Sequence, residues 1–356
     1  MRWILRLLMA IHAEVNKMAD KINIALYWGA GCGGCDVAVL DIDAAILDVA
    51  AMANVTLWPI GFDTKYEDIE KMPDKSITIS FYNGAIRSEE NEHIARLLRQ
   101  KSVVMIAFGS CACFGGTPGL ANVTNKKEIM DMVYTNKTPS TDNPSGVMPS
   151  TRIKVPEGEL TLPELYDDVL TLDDIMDVDI FMPGCPPTVE LITAALTAVT
   201  KHLKEGAPLP PKGAIIASDK TLCDECKRER VEKGRNVAKI IQPYDIMPDQ
   251  KKCLIDQGII CIGPATRAGC GAMCPVGNMP CRGCMGPTKS VLDQGGSMLS
   301  AISSILNITD KEGQMNEEEI ETLLEQVKDP LGTFYAFTLP KSLLRRTVKE
   351  RGRKVV

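Results

Sequence analysis

The stretch INIALYWGAGCGGCD, residues 22–36, carries seven mostly apolar residues straight into a loop of glycines that holds two cysteines. Apolar residues at helical spacing then follow over 37–52. An apolar run, a tight glycine turn and an amphipathic helix make the first half of a strand–helix–strand unit, and the following sequence repeats the pattern. Strands are expected at 22–28, 55–62, 76–82, 103–109 and 179–184, and helices at 37–52, 89–99 and 189–203. Residues 21–206 therefore read as an α/β domain with a mostly parallel sheet.

Gly29, Gly31 and Gly34 match G-x-G-x-x-G, so a dinucleotide loop competes for this segment. Two features oppose it. Cys32 and Cys35 form a C-x2-C within the same turn, and no clear acidic residue follows the second strand at the spacing a ribose contact requires. Cys111 and Cys185 also lie just past expected strands. Because the carboxyl ends of parallel strands share one edge, topology brings Cys32, Cys35, Cys111 and Cys185 together as a candidate metal site. Glycines beside them suit the close backbone approach that an iron–sulfur cluster needs, with zinc as the competing occupant. Cys113 shares the Cys111 loop and reads as a buried structural thiol.

The 356 residues are 45% hydrophobic and carry a net charge of −6, enough apolar content for two domains and no basic excess for nucleic acid. The longest N-terminal apolar run, WILRLLMAI, is broken by Arg6, so no membrane span is expected. That segment matches neither a Sec nor a Tat signal, and the expected location is cytoplasmic. Residues 1–20 read as an extension, and Met18 is an alternative start. Thirteen cysteines in such a setting point to metal rather than to disulfides.

Residues 117–165 are rich in Pro, Ser, Thr and Asn and read as a surface loop, and APLPPKG at 207–213 reads as a linker. Eight cysteines follow over 207–290: Cys223, Cys226, Cys253, Cys261, Cys270, Cys274, Cys281 and Cys284. Eight thiols make two four-ligand sites, again with zinc as the competitor, in a segment expected to be organised by ligands more than by an apolar core. The remainder, 291–356, reads as a helical tail, with Ile320, Leu323, Leu324 and Val327 at helical spacing, a capping box from Asn316 and Glu319, and a solvated basic end at Arg345, Arg346, Lys349 and Arg351. His12, His93 and His202 fall outside the cysteine-rich segments and read as structural or exposed. No nucleophile constellation or Walker motif is present, so the chain shows no substrate chemistry of its own.

Three motifs occur in order: W-x3-C-x2-C at Trp28, Cys32 and Cys35, G-[ST]-C-x3-GG from Gly109 to Gly116, and PGCPP at 183–187. Over residues 21–290 the sequence resembles the small, electron-transferring subunit of [NiFe] hydrogenases, most closely the cytoplasmic F420-non-reducing (viologen-reducing) type of methanogens. The resemblance implies a flavodoxin-like N-terminal domain followed by an iron–sulfur domain. It implies a proximal [4Fe-4S] cluster on Cys32, Cys35, Cys111 and Cys185, a medial one on Cys270, Cys274, Cys281 and Cys284, and a distal one on Cys223, Cys226, Cys253 and Cys261. It further implies a nickel–iron centre on a large-subunit partner, and transfer of electrons from H2 to a delta-type adapter and heterodisulfide reductase. Cys223 stands where periplasmic members carry histidine, Cys274 where many carry a non-ligand, and Gly31 where many carry an acidic residue linked to proton movement. Alternatives are the small subunit of an F420-reducing hydrogenase, a multi-cluster carrier without a hydrogenase partner, a complex-I-like subunit, which the spaced Cys32 and Cys35 disfavour, and a zinc-stabilised dinucleotide-binding or adapter protein.

Overall fold

The computed structural model describes residues 21–135, 142–234, 237–306 and 317–344. Six parallel strands form the central sheet: β1 (Ile22–Trp28), β2 (Ala53–Leu57), β3 (Ile77–Asn83), β4 (Ser102–Phe108), β5 (Ile180–Met182) and β6 (Ala214–Ile215). Their spatial order is β2-β1-β3-β4-β5-β6. The first five follow the doubly wound order expected of a flavodoxin-like domain, and β6 adds an edge strand that the sequence did not announce. Ala25, Leu26 and Tyr27 are all buried although they alternate faces, as a parallel sheet covered on both sides requires.

Helix boundaries follow local chemistry. Ser88 accepts from the Asn91 amide and opens helix Glu89–Lys101, while Thr188 does the same for Leu191 at the start of Val189–Glu205. The single helix expected over 37–52 is two, Gly34–Leu40 and Ala45–Met52, because the chain turns between them with Asp43 at φ +55°. The second strand starts and ends earlier than expected. Trp58 leaves the sheet, its carbonyl closes a turn with the amides of Gly61 and Phe62, and its indole reaches inward to Asp36.

The segment 117–165 is more ordered than a surface loop. It contains a 3-10 turn at Thr117–Val123, a helix at Lys126–Tyr134 and a hairpin of Arg152–Val155 with Gly158–Thr161. Buried Asn122 fastens it by exchanging hydrogen bonds with the carbonyl and amide of Val169.

The cysteine-rich segment shares an apolar core with the tail, whereas the expectation was that ligands organise it more than an apolar core does. Leu222, Ile240, Leu254, Ile259 and Ile262 pack with Met298, Ile302, Phe334, Tyr335 and Leu339 from beyond residue 290. The helix expected near 320 is present at Glu317–Leu324. Asn316, the basic end from Arg345 onward and the extension with His12 lie outside the described residues.

Candidate metal centres

The first group of thiols is built by the sheet edge. Cys32 and Cys35 leave β1 on a turn whose Gly33 has φ +79°, and Cys111 sits in the short helix Ser110–Phe114 that follows β4. Cys185 follows β5. The Gly109 amide donates to the Met182 carbonyl at 2.8 Å and the Ser110 amide to the Gly184 carbonyl at 2.7 Å, so the loops carrying Cys111 and Cys185 are pinned side by side. Gly109, at φ +86° and ψ 163°, has no room for a Cβ because the Cys35 sulfur occupies that position.

The thiols of this group act on one another electrostatically. Burial raises the Cys35 thiol, and Cys111, Cys185, Asp36 and Cys32 add to the effect. Burial together with Cys185 and Cys32 pushes Cys111 up to about 12. Cys113 is separate: it is buried in the core and its thiol donates to the Ala107 carbonyl at 3.3 Å.

The remaining eight thiols also act on one another, without dividing cleanly into two sets. Burial, then Cys261, Cys253 and Cys226, pushes Cys223 up to about 12. Burial, then Cys270, raises Cys274. Burial, then Cys270, pushes Cys284 up to about 12, with Cys185 and Cys274 adding to it. Burial, then Cys261, raises Cys281, to which Cys284 also contributes.

One amide-to-sulfur hydrogen bond links two of the cysteine segments: the Cys281 amide donates to the Cys261 sulfur at 3.3 Å. Ser110 donates its hydroxyl to the Cys284 carbonyl, a further tie between the first loop and the cysteine-rich segment.

Thiols held up in this way remain protonated unless a strongly cationic partner compensates several thiolates at once. Among the described residues no three His, Cys, Asp or Glu groups converge tightly enough to share one metal ion. The donors gathered here are thiols alone, a set that suits an iron–sulfur unit, in which each thiolate meets its own iron.

Sequence reasoning passed over Asp36, which is fully buried directly after Cys35. Its two carboxylate oxygens accept from Trp58 Nε1 at 2.8 Å and Asn83 Nδ2 at 2.9 Å. The two donors come from distant points of the chain, the turn after β2 and the end of β3, so no local motif marks the aspartate. His93 lies 3.6 Å from Glu70, and His202 Nδ1 lies 2.6 Å from the Ala207 carbonyl.

The family model for the NADH ubiquinone oxidoreductase 20 Kd subunit matches residues 32–199. The chain is 40% identical over 297 residues to the iron-sulfur subunit of the F420-non-reducing hydrogenase of Archaeoglobus profundus, covering 82% of this chain and 91% of the relative. It is 37% identical over 337 residues to the like-named F420-non-reducing hydrogenase subunit of Methanothermobacter marburgensis, covering 94% of this chain and all of the relative. A solved chain of an NAD+-reducing [NiFe]-hydrogenase in the H2-reduced state is 28% identical, with 54% of this chain and 98% of that chain covered and a TM-score of 0.42. The relatives make this chain a hydrogenase subunit, and hence part of an oxidoreductase. It belongs to the family of these F420-non-reducing hydrogenase G subunits.

Proposed function

We propose that the chain is the electron-transfer subunit of a [NiFe] hydrogenase and carries three [4Fe-4S] clusters. Cys32, Cys35, Cys111 and Cys185 hold the proximal one, Cys270, Cys274, Cys281 and Cys284 the medial one, and Cys223, Cys226, Cys253 and Cys261 the distal one. The observation that carries this reading is the sheet edge that gathers Cys32, Cys35, Cys111 and Cys185, with the Gly109 and Ser110 amides pinning the Cys111 loop beside the Cys185 loop and the Cys35 sulfur against Gly109. The sorting of the other eight follows the resemblance. Bound clusters supply one-electron transfer at a potential set by their ligands, charge and hydrogen bonds. The chain offers four thiols at each site and directs the Cys281 amide at the Cys261 sulfur, where it stabilises negative charge.

In this reading H2 is oxidised at a nickel–iron centre on a large-subunit partner, and electrons leave through a delta-type adapter for heterodisulfide reductase, as the resemblance to the methanogen enzymes implies. The work is cytoplasmic. Among the described residues no helix is long and apolar enough to cross a membrane.

Purification of the native complex through a tag on this chain, without oxygen, tests the assignment. The reading predicts that nickel co-purifies and that H2 bleaches the iron–sulfur absorbance. Addition of the adapter and heterodisulfide reductase then restores colour when heterodisulfide is supplied. Iron without nickel, or no response to H2, would remove the hydrogenase role.

A further inference from the structure

A buried polar cluster lies between the second and third cysteine sets. Thr266 is fully buried and Gln294 is 3% exposed. Gln294 Nε2 donates to Thr266 Oγ1 at 3.0 Å and to the Gly283 carbonyl at 3.2 Å. Thr266 donates its hydroxyl to the Ile262 carbonyl at 2.6 Å, one residue past Cys261. The Cys281 thiol lies 3.7 Å from the same oxygen and donates to it. Thr266 thus touches one set directly and the other through a single peptide.

Occupancy by metal changes the proton count at this contact. A thiol that has become a metal-bound thiolate has no proton to give, and the one hydrogen left between Cys281 Sγ and Thr266 Oγ1 is that of the hydroxyl. Gln294 fills an oxygen lone pair and polarises the O–H bond. The proton then has two acceptors within reach, the Ile262 carbonyl and the Cys281 sulfur. A donor to a ligand sulfur stabilises the more negative, reduced state of an iron–sulfur centre and so raises its potential.

We infer that Thr266, oriented by Gln294, is a positioning residue that sets the reduction potential of the centre held by Cys270, Cys274, Cys281 and Cys284, an inference that rests on the function proposed above. It raises that potential, and the site is linked to the neighbouring one at Cys261 by the Cys281 amide and by the Ile262 amide, which donates to the Cys281 carbonyl at 3.0 Å. The buried location fits this role, since Thr266 and Gln294 are closed off from bulk solvent that could otherwise replace the hydroxyl.

The test is an EPR-monitored redox titration of the native complex carrying Thr266→Val, Thr266→Ser or Gln294→Met. Thr266→Val is expected to move the medial midpoint to more negative potential with the proximal midpoint unmoved. Thr266→Ser restores the wild-type value, and Gln294→Met gives a smaller shift in the same direction. A purely structural role predicts loss of iron without a shift in the centres that remain. An unmoved medial midpoint in Thr266→Val at full iron content would overturn the inference and leave the proposed function standing. If Thr266→Val loses its iron, an unmoved midpoint in Gln294→Met overturns the inference in the same way. Absence of iron–sulfur signals from the wild-type complex would overturn the proposed function itself.

Discussion

Replacing Gly109 by alanine probes the proximal site through a single methyl group. Gly109 sits at φ +86° and ψ 163°, a region essentially reserved for glycine, where another residue costs about 1–3 kcal/mol. The added Cβ would also land on the Cys35 sulfur. The backbone cannot withdraw freely, because the Gly109 amide is bonded to the Met182 carbonyl and the next amide to the Gly184 carbonyl. Giving up one of those bonds adds about 1 kcal/mol. The expected total is about 2–4 kcal/mol, concentrated where Cys35 must be held. Iron per anaerobically purified chain is expected to fall from about twelve to about eight, with the proximal EPR signal lost and the other two retained. Gly146→Ala is the control, since Gly146 also has positive φ but nothing lies within 4 Å of a Cβ there. It should cost about 1 kcal/mol of strain and keep all the iron. A Gly109→Ala chain with full iron and an unchanged proximal signal would refute the geometry deduced for this site.

Cys111→Ala is expected to abolish the proximal signal, whereas Cys113→Ala should keep every iron and lose only about 1–2 kcal/mol of core packing, read by urea unfolding of the two variants. Asp36→Ala leaves Trp58 Nε1 and Asn83 Nδ2 buried without an acceptor, and at about 1–3 kcal/mol for each orphaned donor it should be among the most destabilising polar substitutions in the sheet domain. Asp174 is held below the usual carboxylate range: burial works against its charge, but Lys341 at 3.1 Å and the hydrogen bonds from Thr171 prevail. A depressed carboxylate stabilises the fold above its unfolded pKa, near 4, and that contribution disappears as pH falls through the folded value. Lys341→Met should therefore shift the acid-unfolding midpoint upward in pH and lower stability at neutral pH, measured by circular dichroism across the titration.

The sheet was legible because β1 and β4 are largely apolar runs and β3 intersperses apolar residues with small polar ones, each followed by glycine, a pattern set by burial on both faces. β6 escaped detection because two residues carry no periodicity, and its pairing with β5 depends on contacts distant in sequence. The early end of β2 has a specific cause. Trp58 is drawn away from strand geometry toward Asp36, a partner that hydropathy cannot reveal. At the candidate site, the strand-end rule brought four distant cysteines to one edge, while the sorting of the other eight rested on resemblance. Thr266 and Asp36 stayed hidden because their partners come from segments far along the chain, and nothing beside them in sequence signals the contact. The apolar core shared by the cysteine-rich segment and the tail was obscured by glycines and prolines that break up its periodicity.

The most direct test of three four-thiol centres is the iron and acid-labile sulfide content of the oxygen-free native complex, normalised to this chain and corrected for iron on its partners. The account predicts about twelve iron and about twelve sulfide per chain. Zinc in place of iron, or iron and sulfide near eight, would contradict it.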